Sequence, residues 1–456
     1  MKNLKTLVAH PLFRIFQNPI FLFVMWMCIT LVCCIFKLAQ GRYNNFLIFR
    51  QSYWDALAQI SLYLENLNAY LYGISFTVLI APFAVLPIPL GMILWCLANT
   101  AFLYYAIRKL EPETWKFTLI IWVSANDLYE AMVYQQYNVG IAAMIILAFV
   151  CIEKKKDFWA ALFIVVGTMT KIYGILGLAF ILFSKRKLHL LWGILFWSIV
   201  FFCLPMIYTS PEYVLSQYRD WLEVLIYKNN LNTFCYYTNI SLLGMVRKIS
   251  QVTTYSDLWL IIPGILLFIA PYFRINQYES KSFRLLYLSS VLLFMILFST
   301  GTEGCGYISA MVAVGIWFVN TPTRKKTPVL NITLLIFCIV LTSLSASGIF
   351  PKYVRVNYVS PYALKALPCV FIWLKIVWEQ LTQNFVTALP ASLTETGKRS
   401  RIDIVLPCYN PYEGWEQQLI EKHKELEAML DGYDIRFIVV NDGSRIYGRS
   451  RISFDK

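Results

Sequence analysis

Residues 41–87 read GRYNNFLIFRQSYWDALAQISLYLENLNAYLYGISFTVLIAPFAVLP. They follow an apolar run, Pro19–Ala39, that is long enough to cross a bilayer. Because the apolar positions of the first half fall at helical spacing, we predict a helix lying in the membrane surface with one side in water. The stretch is either an interfacial anchor or an active-site loop over a membrane cavity, with Asp55 as its candidate acid or base. The apolar positions are Phe46, Phe49, Tyr53, Leu57, Ile60 and Tyr63.

The composition indicates a membrane protein. Of the 456 residues, 58% are hydrophobic and 14% are charged, whereas roughly a quarter of a soluble domain is charged. Since long apolar runs recur along the chain, we predict an all-α polytopic membrane protein with about 11–13 membrane helices. The formal charge of +14 comes from Lys and Arg clusters beside apolar runs, as the positive-inside rule describes. We therefore expect membrane lipids as partners and no nucleic acid.

Metal chemistry has little support in the sequence. The 11 cysteines lie mostly inside apolar runs, where cysteine behaves as a small hydrophobic residue. The chain has three histidines and no CxxC pair. We therefore predict no metal site.

The basic clusters predict the topology. The N-terminus and the clusters at residues 154–156, 184–187 and 324–326 are expected in the cytoplasm of a bacterial inner-membrane protein, together with the C-terminus. The two apolar runs between the first two of these clusters have about 12 residues each, near 18 Å of α-helix, so we predict a re-entrant hairpin with Lys171 at its tip. The cluster at residues 108–116 also favours the cytoplasm, which conflicts with two full crossings after the outer loop.

The last part of the chain differs from the rest. We predict a membrane domain over residues 1–381, a polar linker over 382–401, and a strand–turn–helix–strand segment over 402–456. That order is typical of the start of a parallel α/β sheet. About 55 residues are too few to complete such a domain.

The membrane part resembles glycosyltransferase family 87, whose members have the C-type glycosyltransferase fold. The likeness is carried by YNNFLIFRQS (43–52), FTVLIAPFAVLP (76–87), QQYNVGIAAMIILAF (135–149), TKIYGILGLAFILF (170–183) and EGCGYISAMVAVGIWF (303–318). The resemblance implies a donor hexose, often mannose, linked to polyprenyl phosphate, and transfer to a glycan or lipid-linked acceptor on the outer face of the membrane. This donor is a substrate, and no further cofactor is implied.

In the family, an acid in the first outer loop is expected to deprotonate the acceptor. This sequence departs from that pattern, since Asn44 and Asn45 stand where many members have Asp. Asp55 and Glu65 are the acids that remain in the loop.

The tail resembles the start of a family 2 glycosyltransferase with the A-type fold, through VLPCYNP (405–411) and VVNDGS (439–444). Asp442 matches the Asp that contacts the donor nucleotide in that family. The metal-binding and catalytic residues of the family lie further on, so this fragment is expected to be inert by itself.

Each candidate site residue has a functional and a simpler interpretation. Glycosyl transfer needs a base for the acceptor hydroxyl and cations for the departing phosphate. Asp55 and Glu303 are candidate bases or exposed loop charges, and Lys171 and Arg50 are candidate phosphate ligands or interfacial cations. Asn45, Gln135 and Asn138 are candidates for sugar or acceptor binding, and helix capping accounts for Gln135 and Asn138 as well.

Two other functional classes stay open. A transporter or flippase of a lipid-linked saccharide would explain the missing loop Asp, although the internal repeat of many transporters is absent from the sequence. An inactive glycosyltransferase relative acting as an assembly partner is the third alternative.

Overall fold

The computed structural model describes residues 14–63, 70–233, 235, 238–252, 254–321, 328–386, 400–408, 414–429 and 433–441. The chain divides into two compact units, Met1–Phe385 and Val386–Lys456. In the described part of the first unit, the helices of nine or more residues are α1 (Pro19–Ala39), α2 (Asn44–Leu57), α3 (Ser75–Ala84), α4 (Ile88–Leu110), α5 (Thr114–Val133), α6 (Asn138–Glu153), α7 (Asp157–Thr170), the 3₁₀ helix Ile172–Phe183, α8 (Lys187–Cys203), α9 (Pro211–Asn232), α10 (Leu242–Ser250), α11 (Leu258–Ile269), α12 (Lys281–Leu297), α13 (Ile308–Asn320), α14 (Pro328–Phe337) and α15 (Leu367–Thr382).

The helices confirm the predicted all-α polytopic membrane protein. Four helical stretches of the described chain are long and apolar enough to cross a bilayer: Pro19–Ala39, Ile88–Leu110, Lys187–Ile207 and Val329–Ala346. A fifth is formed if Lys352–Val359 and Leu364–Thr382, bent by 95°, count as one span. Several apolar helices of 10–17 residues account for further runs, so the expected count of about 11–13 includes helices shorter than a full span.

Two helices form the centre of the first unit. Nearly every side chain of α6 and α13 is buried, as expected for helices that are apolar on all sides. In contrast, α1 and α8 expose large apolar side chains such as Val32 and Trp192, which are 62% and 69% exposed. The outer helices thus present an apolar surface suited to lipid, while α6 begins at Asn138 and carries that residue into the site described below.

Helix α2 confirms in part the helix predicted from the apolar spacing, while its position in the membrane surface stays a prediction. Phe46 and Phe49 are buried as their spacing predicts. Leu57 and Ile60 are instead 43% and 52% exposed, because the helix ends at Leu57 and Gln59 takes a left-handed conformation with φ of 53°.

The predicted hairpin is present, with Lys171 between α7 and the 3₁₀ helix. The two arms pack closely where glycines face each other: a Cβ on Gly174 would lie 2.1 Å from the carbonyl carbon of Gly167. Gly73 donates its backbone N–H to the carbonyl of Thr170 at 3.1 Å. The hairpin tip is therefore fixed to the segment that precedes α3.

The second unit contains a strand, a helix and a strand, as predicted: β1 (Ser400–Cys408), α16 (Trp415–Met429) and β2 (Tyr433–Asn441). The strands pair in parallel, from Ser400 opposite Tyr433 to Cys408 opposite Asn441. Asp442, the candidate nucleotide-binding residue, lies outside the described residues.

Candidate functional site

A cavity of about 520 Å³ lies between α2, the hairpin tip, α9 and the loop after α12. We call it the lysine cavity. Of the residues predicted to form a site, four line it: Asn45, Asn138, Lys171 and Glu303. The fold thus brings together polar residues that are spread over more than half of the chain.

Lys171 is held at one end of this cavity. Its Nζ donates to Oδ1 of Asn138 at 2.6 Å, and it lies 5.2 Å and 5.6 Å from the ring centres of Tyr72 and Tyr173. A neutral amide and two aromatic faces stabilise an ammonium group without neutralising its charge. The cation therefore stays available to an anion in the cavity.

Helix α9 forms the opposite wall with Lys228, Asn229 and Asn232. Its other end is fixed to the loop after α2, where the Tyr213 hydroxyl donates to the carbonyl of Ile60 at 2.5 Å. In its middle, Trp221 Nε1 donates to the carbonyl of Leu71 at 3.0 Å. Both bonds hold the helix against the segments that line the cavity.

Tyr218 strengthens this attachment of α9. Burial raises the pKa of Tyr218 to about 12, so its hydroxyl stays protonated at neutral pH. It lies 2.7 Å from Oγ of Ser75 at the start of α3.

Glu303 lies in the loop between α12 and α13, and several bonds fix that loop. The Ser299 and Tyr173 hydroxyl oxygens are 2.7 Å apart, and Thr302 accepts the backbone N–H of Ile240 at 2.8 Å. The Cys305 thiol donates to Oε2 of Glu303 at 3.5 Å. A half-buried carboxylate is thus presented on a well-supported loop.

A second cavity of about 540 Å³ lies on the other side of this loop. We call it the arginine cavity, since Arg355 lines it together with Glu130, Tyr134 and Lys365. Glu303 lines this cavity as well as the lysine cavity. Glu303 is therefore shared by two cavities of similar size.

An ion-pair cluster supports the loop from the arginine cavity. Lys365 Nζ lies 2.5 Å from Glu130 Oε2 and 3.9 Å from Asp127 Oδ1, and it donates to the carbonyl of Gly304 at 3.1 Å. Asp127 also accepts from the Ser343 hydroxyl at 2.5 Å. Because each buried charge has a partner, the cluster is stable only as a unit.

Two of the other predicted site residues, Asp55 and Arg50, lie in α2 and line neither cavity. Asp55 is partly buried and accepts from Nε2 of Gln51 at 2.7 Å, and it lines neither cavity. The Arg50 guanidinium lies 5.8 Å from the Trp54 ring centre, and its buried Nε has no hydrogen-bond partner among the described residues. Arg50 also lines neither cavity.

Gln135 has a structural role in this arrangement. It takes a left-handed conformation with φ of 49° after α5, and its Nε2 donates to the carbonyl of Val133 at 2.7 Å. Its neighbour Gln136 lines the lysine cavity instead.

Sequence reasoning missed several members of the site. Asp127 and Glu130 lie inside one apolar run and Lys365 inside another, and isolated charges in such runs are a usable signal. Lys228 gave no such signal, because it stands in a polar helix among many other polar residues. Metal binding finds no support in the described part of the chain, where no group of His, Cys, Asp and Glu is placed to hold an ion.

Comparison with known proteins gives the family. The profile of glycosyltransferase family 87 matches residues 70–300, just over half of the chain. It includes Asn138, Lys171 and Lys228 and ends before Glu303 and the second unit, whose likeness to family 2 glycosyltransferases stays a prediction. No curated protein and no solved structure matches the chain. With its apolar helices, the chain belongs to glycosyltransferase family 87 and is a multi-pass membrane glycosyltransferase.

Proposed function

We propose that this enzyme transfers a hexose, with mannose as the first candidate, from a polyprenyl-phosphate-linked donor to a glycan or lipid-linked acceptor on the outer face of the membrane. The donor phosphate binds Lys171 in the lysine cavity, and the acceptor hydroxyl enters from the arginine cavity. The observation that carries this proposal is the position of Glu303, which lines both cavities. A base for this reaction must reach the acceptor while the donor is bound.

The charges favour this assignment of the two cavities. In the lysine cavity, the hydrogen-bond and ring contacts of Lys171 are to neutral groups, and no carboxylate of the described residues lies within ion-pair distance of it. In the arginine cavity, Lys365 already pairs with Glu130, and Arg355 donates to the carbonyls of Ala346 and Ser347 at 3.4 Å and 3.1 Å. An entering phosphate therefore meets a more available cation in the lysine cavity.

The chemistry follows from this arrangement. The acceptor oxygen forms a bond to the anomeric carbon of the sugar while its proton passes to the Glu303 carboxylate. The bond between that carbon and the phosphate oxygen breaks, and its electron pair stays on the phosphate. Lys171 stabilises the charge that develops there.

Replacing Glu303 tests the proposal. Glu303→Gln keeps the size and polarity of the side chain and removes the proton acceptor, so single-turnover transfer should fall by roughly 100-fold or more. Donor binding, measured separately on the purified variant, should persist.

Asp55→Asn is the matched control, because Asp55 is the other candidate base and lines neither cavity. It should keep turnover close to that of the wild type. If Glu303→Gln transfers normally and Asp55→Asn loses most of its transfer rate, the catalytic base is Asp55 in α2. Full transfer by both variants would contradict a base-catalysed reaction at either residue.

A further inference from the structure

Lys228 is a second cation on the lysine cavity, and the proposed function has not used it. It lies in the last turns of α9, facing the cavity that also contains Lys171 and Glu303. The residue is half-buried. Among the described residues it has no hydrogen-bond or ion-pair partner, unlike Lys171, which is bonded to Asn138.

A structural role accounts poorly for this lysine. Lys228 faces the cavity without a partner there among the described residues, although α9 has exposed positions where a lysine would be fully solvated. Arg219, two to three turns earlier in the same helix, is such an exposed cation and lines neither the lysine nor the arginine cavity. The difference between the two residues points to a ligand at Lys228.

The charge of the donor changes during transfer. A lipid-linked sugar phosphate is a phosphodiester with one negative charge, and it leaves as a phosphate monoester with close to two negative charges above its second pKa of about 6. A cation that interacts more strongly with the second charge lowers the barrier without tightening substrate binding to the same extent.

We propose that Lys228 binds the second negative charge that develops on the departing lipid phosphate, while Lys171 holds the charge already present in the donor. This inference rests on the donor proposed above. As the bond between the anomeric carbon and the phosphate oxygen breaks, its electron pair becomes the second charge, and the Lys228 ammonium stabilises it. The site is then a phosphate-monoester site of a prenyl lipid.

Binding of two simple prenyl lipids tests this without any turnover. Farnesyl phosphate is a monoester with two charges at pH 8, and its methyl ester, methyl farnesyl phosphate, is a diester with one. The purified full chain in lipid nanodiscs should bind the monoester about tenfold more tightly, the contribution of one hydrogen bond to a charged group. Lys228→Met should remove most of this preference and leave diester binding nearly unchanged.

Three variants and one change of pH complete the test. Arg219→Met should behave as the wild type, Lys228→Arg should keep the monoester preference, and Lys171→Met should weaken the binding of both lipids. At pH 5 the monoester gains a proton and carries about one charge. The preference of the wild type for the monoester over the diester should therefore shrink, while the small preference of Lys228→Met should change little.

The proposal is overturned if Lys228→Met keeps the wild-type preference, or if the wild type shows none. These outcomes are independent of the test of the proposed function, since Glu303→Gln should lose transfer and keep the monoester preference. A wild type that binds the monoester through Lys228 but transfers no sugar would retain this site and reject the transferase reaction proposed above.

Discussion

Gly304 connects the candidate base to the ion-pair cluster. It follows Glu303 directly, and its carbonyl accepts from Lys365 at 3.1 Å. A Cβ at this position would lie 2.5 Å from Oε1 of Glu130 and 3.8 Å from Nζ of Lys365. Since Glu130 is held by Lys365 through Oε2 at 2.5 Å, its carboxylate must turn within that ion pair to make room for a Cβ. Glycine at this position therefore fits the cluster without any movement of Glu130.

Gly304→Ala should consequently disturb the base. We expect a loss of stability of about 1–3 kcal/mol, typical of an overpacked site, and a slower transfer step as the Glu303 carboxylate shifts. Thermal unfolding in detergent and single-turnover transfer measure the two effects.

Gly348→Ala is the control for this prediction, because no atom of the described residues lies within 4 Å of a Cβ there. It should resemble the wild type in both measurements. Wild-type transfer by Gly304→Ala would show that the cluster does not position Glu303.

The sequence predicted the individual residues of the site better than their arrangement. Lys171 and Glu303 stand out as charges next to apolar runs, and both line the lysine cavity. The pairing of Lys365 with Glu130 joins residues 235 positions apart, and nothing in one sequence indicates which distant charges meet. Lys228 was missed for a related reason: its burial depends on how α9 packs, which its polar sequence does not reveal.

The hairpin shows how far local pattern predicts an element. Its two runs, its turn and Lys171 at the tip were all predicted from the flanking lysine clusters. The predicted length of near 18 Å per arm assumed the rise of an α-helix, and it was wrong for the second arm. The second arm is a 12-residue 3₁₀ helix, and its larger rise of about 2.0 Å per residue extends it to about 24 Å. The hydrophobic pattern does not distinguish an α-helix from a 3₁₀ helix in this arm. The glycines at the interface between the arms favour the narrower 3₁₀ helix.

Two glycines of the 3₁₀ helix test this packing. At Gly174 an added Cβ would meet backbone, 2.1 Å from Gly167 C and 2.2 Å from Thr168 N. At Gly177 it would meet a side chain, 2.7 Å from Cγ1 of Ile164. We expect Gly174→Ala to lower the unfolding temperature more than Gly177→Ala, because a backbone atom cannot move away without separating the arms.

Thermal unfolding of both variants in the same detergent is the measurement, and a double variant supplies the control. Ile164→Ala removes the atom that Gly177→Ala would strike, so the two substitutions together should cost less than the sum of their separate effects. Equal losses in Gly174→Ala and Gly177→Ala, with strict additivity in the double variant, would contradict the close packing of the arms.

In the membrane unit, one cluster of cations lies at the end away from the lysine cavity. Helix α6 starts at Asn138, in that cavity, and ends at Glu153, so its 16 residues separate the two ends by about 24 Å. At the Glu153 end of α6, a common surface cavity is lined by four cations: Arg108, Lys109, Lys154 and Lys281. Because the positive-inside rule assigns such a cluster to the cytoplasm, we predict that the lysine cavity lies towards the outer face.

This arrangement also resolves a conflict in the sequence. Two full crossings between the outer loop and Arg108 would return the chain to the outside. Helix α3 has only 10 residues, about 15 Å, and is too short to cross, whereas α4 has 23. We therefore predict a single crossing, formed by α4, between the first outer loop and Arg108. The apolar run in the sequence begins in the loop before α3 and continues through the helix. From the sequence alone, this run was therefore long enough to be predicted as a membrane span.

Labelling of single cysteines tests the orientation. Asn230 is exposed in α9 on the side of the lysine cavity, and Lys154 is exposed beyond the far end of α6. With the exposed Cys28 and Cys203 replaced by serine, an impermeant maleimide should label Asn230→Cys in right-side-out membrane vesicles. Lys154→Cys should react only after the membrane is permeabilised, because the positive-inside rule predicts a cytoplasmic position for its lysine cluster. Equal labelling of both cysteines without permeabilisation, or the reverse pattern, would contradict this orientation and with it transfer on the outer face.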